Sequence, residues 1–180
     1  MIIQLPLPKN LNREAALEAL LPEKDIDALK ENKTILPPAV EVVKDILEKM
    51  NFNLKDKVVA VVGQGLLVGK PVSDWLNDKC REIIPMNSKS DPALVQKADL
   101  VITGVGKAGL IKAASLKDGA AVIDFGFDSA SGKISGDLDP TSTEHLSFYT
   151  PTPGGTGPVL VAELFKNFYK LESRIQISID

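Results

Sequence analysis

The sequence predicts an α/β fold with a Rossmann-like, doubly wound and mainly parallel sheet. Short apolar strands rich in Val and Ile alternate with helical segments at the spacing of βαβ units. Each glycine-rich piece of the chain, at Gly63–Gly69, Gly104–Gly106, Gly126 and Gly154–Gly157, follows a predicted strand. Because such sheets bind ligands at the carboxyl ends of their strands, this shared location indicates a binding site.

The chain is organised around the stretch KVVAVVGQGLLVGKP, which begins at Lys57. The β-branched run Val58–Val62 has the length and composition of a strand buried on both faces. Gly63, Gly65 and Gly69 follow it and precede an amphipathic helix. Glycines let the backbone turn sharply and approach a diphosphate, and the free N–H groups of a helix start attract the anion. The spacing GxGxxxG is one residue longer than the common dinucleotide fingerprint, so a tight turn with nothing bound stays open.

Composition and charge exclude several classes of protein. The 180 residues are 44% hydrophobic and 25% charged, as in a globular chain with one good core. A net charge of -3 offers no basic face for nucleic acid or an anionic membrane, and no apolar run approaches a membrane span. The single cysteine, Cys80, permits no disulfide, so a cytoplasmic location is expected, with no signal peptide after Met1. Cys80 is expected to be structural, His145 to be a solvated helix residue, and no metal site is expected.

Four segments are expected before the central strand. A short strand is predicted at Met1–Leu5, and Asn12 is placed to cap a helix that runs to about Leu21. A polar loop, EKDIDALKENKT, comes next. Pro37 and the proline after it then open a helix to about Met50, with apolar residues at helical spacing.

The remaining elements continue the alternation after a helix that is led by Pro71. Further strands are predicted at Glu82–Met86, Asp99–Thr103, Ala120–Asp124 and Ser147–Thr150. Helices are predicted at Asp91–Ala98, Pro140–His145 and Val159–Leu171, and a turn at Ser129–Gly132 leads into a hairpin arm, KISGD.

The end of the second strand indicates which dinucleotide is bound. An NAD-binding domain places a carboxylate there for the adenosine ribose hydroxyls, whereas this chain has Asn87, Ser88, Lys89 and Ser90. Hydroxyls and an ammonium group donate hydrogen bonds to an anion, so they suit the 2′-phosphate of NADP better than a carboxylate would. NADP is therefore favoured over NAD, with an exposed polar turn as the alternative. The loop PTPGGTGP, which begins at Pro151, leads into a helix N-terminus and could lie against a nicotinamide or its substrate.

Seven motifs together resemble the bifunctional methylenetetrahydrofolate dehydrogenase/methenyltetrahydrofolate cyclohydrolase family. They run in the family's order over essentially the whole chain: IIQLPLP, PEKDID, VVGQGLLVGKP, ADLVITGVGKAGLIK, GAAVIDFG, GDLD and YTPTPGGTGP. The resemblance implies that NADP takes a hydride from 5,10-methylenetetrahydrofolate. It also implies that the methenyl product is hydrolysed to 10-formyltetrahydrofolate, and that the protein is a homodimer formed through its cofactor domain.

The resemblance assigns roles to individual residues. Gln4 matches the glutamine that hydrogen-bonds the catalytic lysine, and Asp27 matches the aspartate that holds the pterin ring of the folate. Ser88 matches the serine near the 2′-phosphate, and Phe127 matches a backbone position that contacts the cofactor. The catalytic candidates are Gln4 and Asp27. The cofactor-binding candidates are Gly63, Gln64, Gly65, Val68, Gly69, Ser88, Gly104, Val105, Gly106, Phe127 and Thr156; the substrate candidates are Asp27, Pro153, Gly154 and Gly155.

The chain departs from the family's pattern at several positions. Before the QLPLP segment, family members carry a Tyr-x-x-x-Lys helix, whose lysine is the acid/base and electrostatic centre of both reactions. No lysine precedes Gln4 in this sequence. Ala28 stands where a glycine is usual, Gln64 replaces an arginine that contacts the 2′-phosphate, and Asn87 stands where a histidine is common.

Three regions are expected on this basis. Residues 1–36 are interpreted as a remnant of an N-terminal catalytic and folate-binding domain, and residues 37–158 as the NAD(P)-binding domain. Residues 159–180 are expected to form a helix that packs back between the two domains.

Two hypotheses about function remain. The first is an enzyme of this family whose lysine comes from a longer parent chain or a separate companion chain. The second is a catalytically silent, stand-alone dinucleotide-binding module. Only the first explains why Gln4 and Asp27 are kept in a chain that lacks the lysine.

Overall fold

The computed structural model describes residues 1–30, 34–130 and 132–177. Seven strands are defined in these ranges: β1 (Val58–Val62), β2 (Glu82–Met86), β3 (Leu100–Thr103), β4 (Ile111–Lys112), β5 (Ala121–Asp124), β6 (Leu138–Asp139) and β7 (Phe148–Tyr149). Five of them form a sheet of order β2-β1-β3-β5-β7, in which every pairing is parallel. β4 and β6 form a separate parallel pair. The predicted α/β fold with a parallel sheet is confirmed.

The helices surround this sheet. The described residues form α1 (Arg13–Ala19), α2 (Pro38–Lys49), α3 (Gly69–Leu76) and α4 (Thr156–Ile177), with 3₁₀ helices at Pro22–Lys24, Pro92–Lys97 and Ala113–Ser115. Asn12 caps α1 as expected, because its side chain accepts a hydrogen bond from Ala15 N at 3.1 Å. Asp91 caps its short helix in the same way, through Ala93 N.

The core lies on both faces of the central strands, as a doubly wound sheet requires. All five residues of β1 are buried, and successive side chains point to opposite faces. Val59 and Val61 pack in the layer that contains α2 and α3. Ala60 and Val62 pack in the opposite layer, which also contains buried residues from the chain between β2 and β6. The uninterrupted run of β-branched residues is therefore explained by burial on two sides.

The N-terminal region packs onto α4. Ile26, Ala28 and Ile35 form a small apolar cluster with Leu171. Asn167 of α4, which is fully buried, donates its side-chain N–H groups to Ile26 O and Leu36 O, each at 3.0 Å. The division of the chain into three regions stays a prediction, and α4 begins at residue 156, before the expected boundary at residue 159.

Several expected elements differ in the structure. Met1–Leu5 forms no strand, because it pairs with no described segment, and prolines at 6 and 8 remove two donors. Pro140–His145 forms turns instead of a helix, and His145 is half-buried there rather than solvated. The hairpin arm is reduced to one bridge between Asp128 and Ser135.

Three expectations extend beyond the described residues. The polar loop that ends at Thr34 includes residues 31–33, the turn at Ser129–Gly132 includes residue 131, and the expected C-terminal region 159–180 includes residues 178–180; those seven residues lie outside the described ranges. Within the described part of the chain, no helix has both the length and the apolar character needed to cross a membrane.

Candidate functional site

The loop after β1 lies where the strand order of the sheet reverses. β1 has β2 on one side and β3 on the other, so the crevice at its carboxyl end is a topological switch point. Gly63 opens the loop with a φ of +87° and donates its N–H to Met86 O at 2.9 Å. A Cβ on Gly69 would stand 1.6 Å from Gly63 O, so the start of α3 packs directly on the loop. The predicted order of strand, glycine turn and helix is confirmed, with the helix beginning at Gly69 rather than Pro71.

A second glycine loop, after β3, lies against the first. A Cβ on Gly104 would stand 2.9 Å from a methyl group of Val68, and one on Gly63 would stand 2.9 Å from a methyl group of Val105. Gly65 differs from these positions, because a Cβ on it would have no neighbour within 4 Å. The two loops therefore hold each other in place, while the backbone at Gly65 is open to an incoming group.

A cavity of about 620 Å³ opens beside these loops, at the carboxyl ends of β1 and β2. Its lining includes Gly63 and Gln64 from the first loop, Ser88 after β2, and Val105 and Lys107 from the second loop. The structure thus brings together predicted cofactor residues from three separate segments. The Ser88 hydroxyl is exposed and has no hydrogen-bond partner among the described residues, so it is available to a ligand.

Two candidate side chains have their polar atoms engaged within the protein. The Gln64 amide donates to Val61 O at 3.0 Å and accepts from Ser73 Oγ at 3.3 Å. Thr156 is buried, and its hydroxyl donates to Asp124 O at 2.7 Å. In this arrangement the Thr156 hydroxyl holds α4 to β5, so it is not exposed for cofactor binding.

Two buried carboxylates that the sequence did not single out hold the second loop and its neighbours. Asp137 accepts hydrogen bonds from Thr103 Oγ1, Val105 N and Lys107 N, each at 2.7 Å. Asp124 accepts from the backbone N–H groups at positions 126 and 138, and burial raises the pKa of its carboxyl above the usual range. The motifs GDLD and GAAVIDFG contain these residues, but only the tertiary structure reveals what they bind.

The second loop ends beside the segment after β5. Gly106 has a φ of +76°, and a Cβ on it would stand 3.3 Å from Phe127 O. The Phe127 backbone is therefore next to the loop, as its predicted role requires, while its ring is 62% exposed. The contact of Phe127 with a cofactor stays a prediction.

The PTPGGTGP loop joins β7 to the start of α4. The Thr152–Pro153 peptide bond is cis, and Gly154 has a φ of +97°. A Cβ on Gly155 would stand 2.3 Å from Pro151 O, so the loop folds tightly back on itself. Pro153 and Gly154 are exposed, which leaves them accessible to a substrate.

The N-terminal candidates lie on a different side of the first loop. A groove of about 610 Å³ separates the segment Leu5–Glu14 from Gly65–Val68. Gln4 is exposed, and its side chain makes one long hydrogen bond, to Leu5 O at 3.5 Å. No hydrogen bond among the described residues joins Gln4 to Asp27, so the structure does not bring these two candidates into direct contact.

Asp27 lies in a partly buried turn with a second carboxylate. Desolvation, followed by the nearby charge of Asp25, raises the pKa of Asp27 to about 6, and the Met1 ammonium opposes that shift. Asp25 is itself buried, and one of its oxygens accepts from Lys30 N at 2.9 Å. Ala28, where the family usually has glycine, has a φ of +53°, a left-handed conformation that favours glycine.

Comparison with known proteins places the chain in a family with this fold and site. The model of the tetrahydrofolate dehydrogenase/cyclohydrolase NAD(P)-binding domain matches residues 37–176, and the chain belongs to that family. The bifunctional protein FolD of Bacillus licheniformis is 36% identical over 97% of this chain and 66% of its own length. FolD of Mycoplasmopsis synoviae is 37% identical over 95% of this chain and 68% of its own length. The chain thus spans about two thirds of the length of these relatives.

Solved structures give the same result. A FolD of Trypanosoma brucei, crystallised with NADP and an inhibitor, superposes with a TM-score of 0.88 at 31% identity, covering 96% of this chain and 66% of that one. FolD from Campylobacter jejuni has a TM-score of 0.88 at 29% identity, covering 95% of this chain and 66% of that one. The predicted family is confirmed.

Proposed function

We propose that this chain forms the NADP-binding part of a methylenetetrahydrofolate dehydrogenase/methenyltetrahydrofolate cyclohydrolase. In that role it takes part in oxidising 5,10-methylenetetrahydrofolate to the methenyl form and in hydrolysing the product to 10-formyltetrahydrofolate. The observation that carries the proposal is the pair of interlocked glycine loops at the switch point, beside a cavity lined by Gly63 and Ser88.

The residues of the chain bind and orient the reactants in this proposal. NADP, when bound, supplies a nicotinamide carbon that accepts the hydride. The backbone at Gly63 and Gly65 receives the diphosphate, and Ser88 donates to the 2′-phosphate. The exposed Pro153–Gly154 segment borders the folate, and Asp27 accepts hydrogen bonds from the N–H groups of its pterin ring. Since the pKa of Asp27 is about 6, this carboxyl is mostly ionised, and so an acceptor, at neutral pH.

The family's acid/base lysine has to come from outside these 180 residues. Gln4, which by resemblance bonds that lysine, is exposed and able to meet an incoming group. We therefore propose that a longer or separate polypeptide completes the site for both reactions. Loss of a positioned proton-transfer group lowers the rate by about 10²–10⁴, so this chain alone is expected to be a poor enzyme.

The proposal is tested in two stages with the same preparation. Binding is measured first, by fluorescence titration of the chain with NADPH and with NADH. NADP reduction with methylenetetrahydrofolate is then followed for the chain alone and after adding a segment that carries the Tyr-x-x-x-Lys helix. We expect NADPH to bind more tightly than NADH, and turnover to appear only with the added segment.

The outcomes separate the two hypotheses about function. Binding without turnover, even when the segment is added and shown to associate, would favour a silent dinucleotide-binding module. Absence of NADPH and NADH binding would overturn the cofactor assignment itself. Rapid turnover by the chain alone would show that the lysine is dispensable.

The assembly and the location belong to the proposal as well. By resemblance we propose a homodimer formed through the cofactor domain, which sedimentation equilibrium at several protein concentrations would test. A cytoplasmic location stays a prediction, based on the single cysteine at position 80.

A further inference from the structure

We propose that the ammonium group of Lys107 binds a phosphate of the dinucleotide, a role that the glycine pattern did not assign. The inference rests on the proposed function, since it names a further residue of the same cofactor site. Lys107 lines the cavity together with Gly63 and Ser88, and its side chain makes no hydrogen bond or ion pair within the described part of the chain. An unpaired cation beside a hydroxyl and a glycine turn suits a phosphate group.

The other lysine of the cavity lining is already paired. Lys112 Nζ lies 2.9 Å from Asp139 Oδ2. That pairing, with hydrogen bonds from Thr141, lowers the pKa of the Asp139 carboxyl to about 2, so the carboxylate stays ionised and holds the lysine. Lys112 therefore brings little net charge to the cavity. Among the described lining residues, Lys107 is the cation left for a ligand.

Asp137 fixes the backbone that carries Lys107. Its carboxylate is fully buried and accepts the Lys107 and Val105 N–H groups and the Thr103 hydroxyl. Three donors to one carboxylate hold the loop in one conformation, so the lysine projects from a rigid backbone. Asp137 is then a positioning residue rather than a ligand contact.

The buried carboxylate of Asp137 also favours a cation at this loop. The Asp137 carboxylate lies behind the loop and repels a phosphate that binds in front of it. The low-dielectric interior screens this repulsion only weakly. The backbone N–H groups of Val105 and Lys107 are already used by Asp137, so they cannot bind the ligand. The Lys107 ammonium is the group of this loop that can offset the repulsion and attract the phosphate.

The test measures binding, so it does not depend on catalysis by the chain alone. Lys107→Gln keeps a long polar side chain and removes the charge. Lys55→Gln is the matched control, because Lys55 is exposed in the turn before β1 and does not line the cavity. We expect Lys107→Gln to raise the Kd for NADPH roughly tenfold or more, as for loss of a charge-assisted hydrogen bond. Lys107→Arg is expected to restore most of the affinity, and Lys55→Gln to change it less than about twofold.

Titration with NADH identifies the phosphate. A weaker affinity for NADPH alone assigns Lys107 to the 2′-phosphate, and an equal loss for NADPH and NADH assigns it to the diphosphate. Both results support the inference. Unchanged binding in Lys107→Gln, or an equal loss in Lys55→Gln, would overturn it while leaving the proposed function intact. If the unmodified chain bound neither dinucleotide, the proposed function would fail, and this inference with it.

Discussion

Asp27 is a candidate site residue whose partly buried surroundings also bear on stability. By sequence alone it belongs to a polar loop, and only the family resemblance makes it a candidate. The structure places it in a half-buried turn near Asp25 and packs the adjacent Ile26 and Ala28 against α4. Burial next to a second carboxylate raises the pKa of Asp27 to about 6. A carboxyl whose pKa is raised by burial and a neighbouring charge is typical of a binding site.

The raised pKa predicts how Asp27 affects stability as the pH changes. The folded state holds the Asp27 proton more tightly than the unfolded chain, so its contribution is most favourable at low pH and is lost as the pH rises through about 6. Because the group is partly exposed, the change is expected to be only about 1 kcal/mol. Urea unfolding of the unmodified chain and of Asp27→Asn is measured from about pH 4 to about pH 7. As the pH rises, the free energy of unfolding of the unmodified chain should fall by that amount relative to that of Asp27→Asn.

A matched substitution controls for the general effect of removing a negative charge. Asp118→Asn changes an exposed carboxyl that lies away from the turn. Parallel pH profiles for Asp27→Asn and the unmodified chain would show that Asp27 does not titrate in this range.

The first glycine loop shows that the glycines of one motif can be required for different physical reasons. Gly69 is needed because the start of α3 packs on the carbonyl of Gly63, where a Cβ has no room. Gly65 has open space around it and a φ outside the left-handed region. The protein alone gives no reason for a glycine at Gly65, but the close approach of a diphosphate does.

This difference predicts opposite results for two alanine substitutions. Gly65→Ala should keep the free energy of unfolding within about 0.5 kcal/mol. It should also weaken NADPH binding roughly tenfold, because the methyl group occupies the space of the diphosphate. Gly69→Ala should lose about 3 kcal/mol or more, since the loop or the helix has to move. Urea unfolding and NADPH titration of both variants check this. Normal NADPH affinity in a folded Gly65→Ala variant would contradict the placement of the diphosphate.

The elements that the sequence predicted well have a residue pattern that is set by local turn residues or by burial on both faces. β1 and β2 have the predicted bounds, because their apolar runs are bounded by turn residues. The predicted helix at Pro140–His145 is absent because its residues make local turns, including Ser142 with a φ of 60°. The short strands β4 and β6 were not predicted, since two-residue pairings depend on tertiary contacts that no periodicity reveals.

At the scale of the whole molecule, α4 connects the N-terminal region to the sheet domain. Asn167 donates two hydrogen bonds, to Ile26 O within the polar loop and to Leu36 O just after it. Two ion pairs on the same helix reach α2, from Lys166 to Asp45 at 3.6 Å and from Lys170 to Glu41 at 3.3 Å. The lysines of these pairs are about half exposed, and the carboxylates are partly buried. Because solvent screens the lysines, the pairs contribute little, and Asn167 is the important polar contact.

Asn167→Ala is therefore expected to loosen the N-terminal region. It removes the donor from the buried carbonyl of Ile26 and from the partly buried carbonyl of Leu36, which should lower the free energy of unfolding by about 2–4 kcal/mol. The loss should be accompanied by faster proteolysis within residues 22–36, measured by mass spectrometry of limited digests. Glu172→Ala, at an exposed position of the same helix, serves as the control. Equal protection of residues 22–36 in both variants would contradict this role of Asn167.

The site was predictable in part, for reasons that differ between residues. The glycine loops and Ser88 were found because strand ends and turn residues are visible in the sequence. The roles of Asp124 and Asp137 were not, because each binds groups that are remote in the chain. The inward hydrogen bonds of the Gln64 amide were likewise hidden, since a side chain's partner follows from packing and not from composition.

The parallel sheet also has a consequence for how the chain reaches its fold. All four strand pairings of the sheet are parallel, so each one joins strands that a full crossover separates. Loop-closure entropy is therefore lost before most of the apolar burial is gained. Local helix formation in α2 or α3 cannot by itself start the sheet. The sheet therefore forms only through contacts between distant parts of the sequence, and the apolar run Val58–Val62 takes part in two of its four pairings.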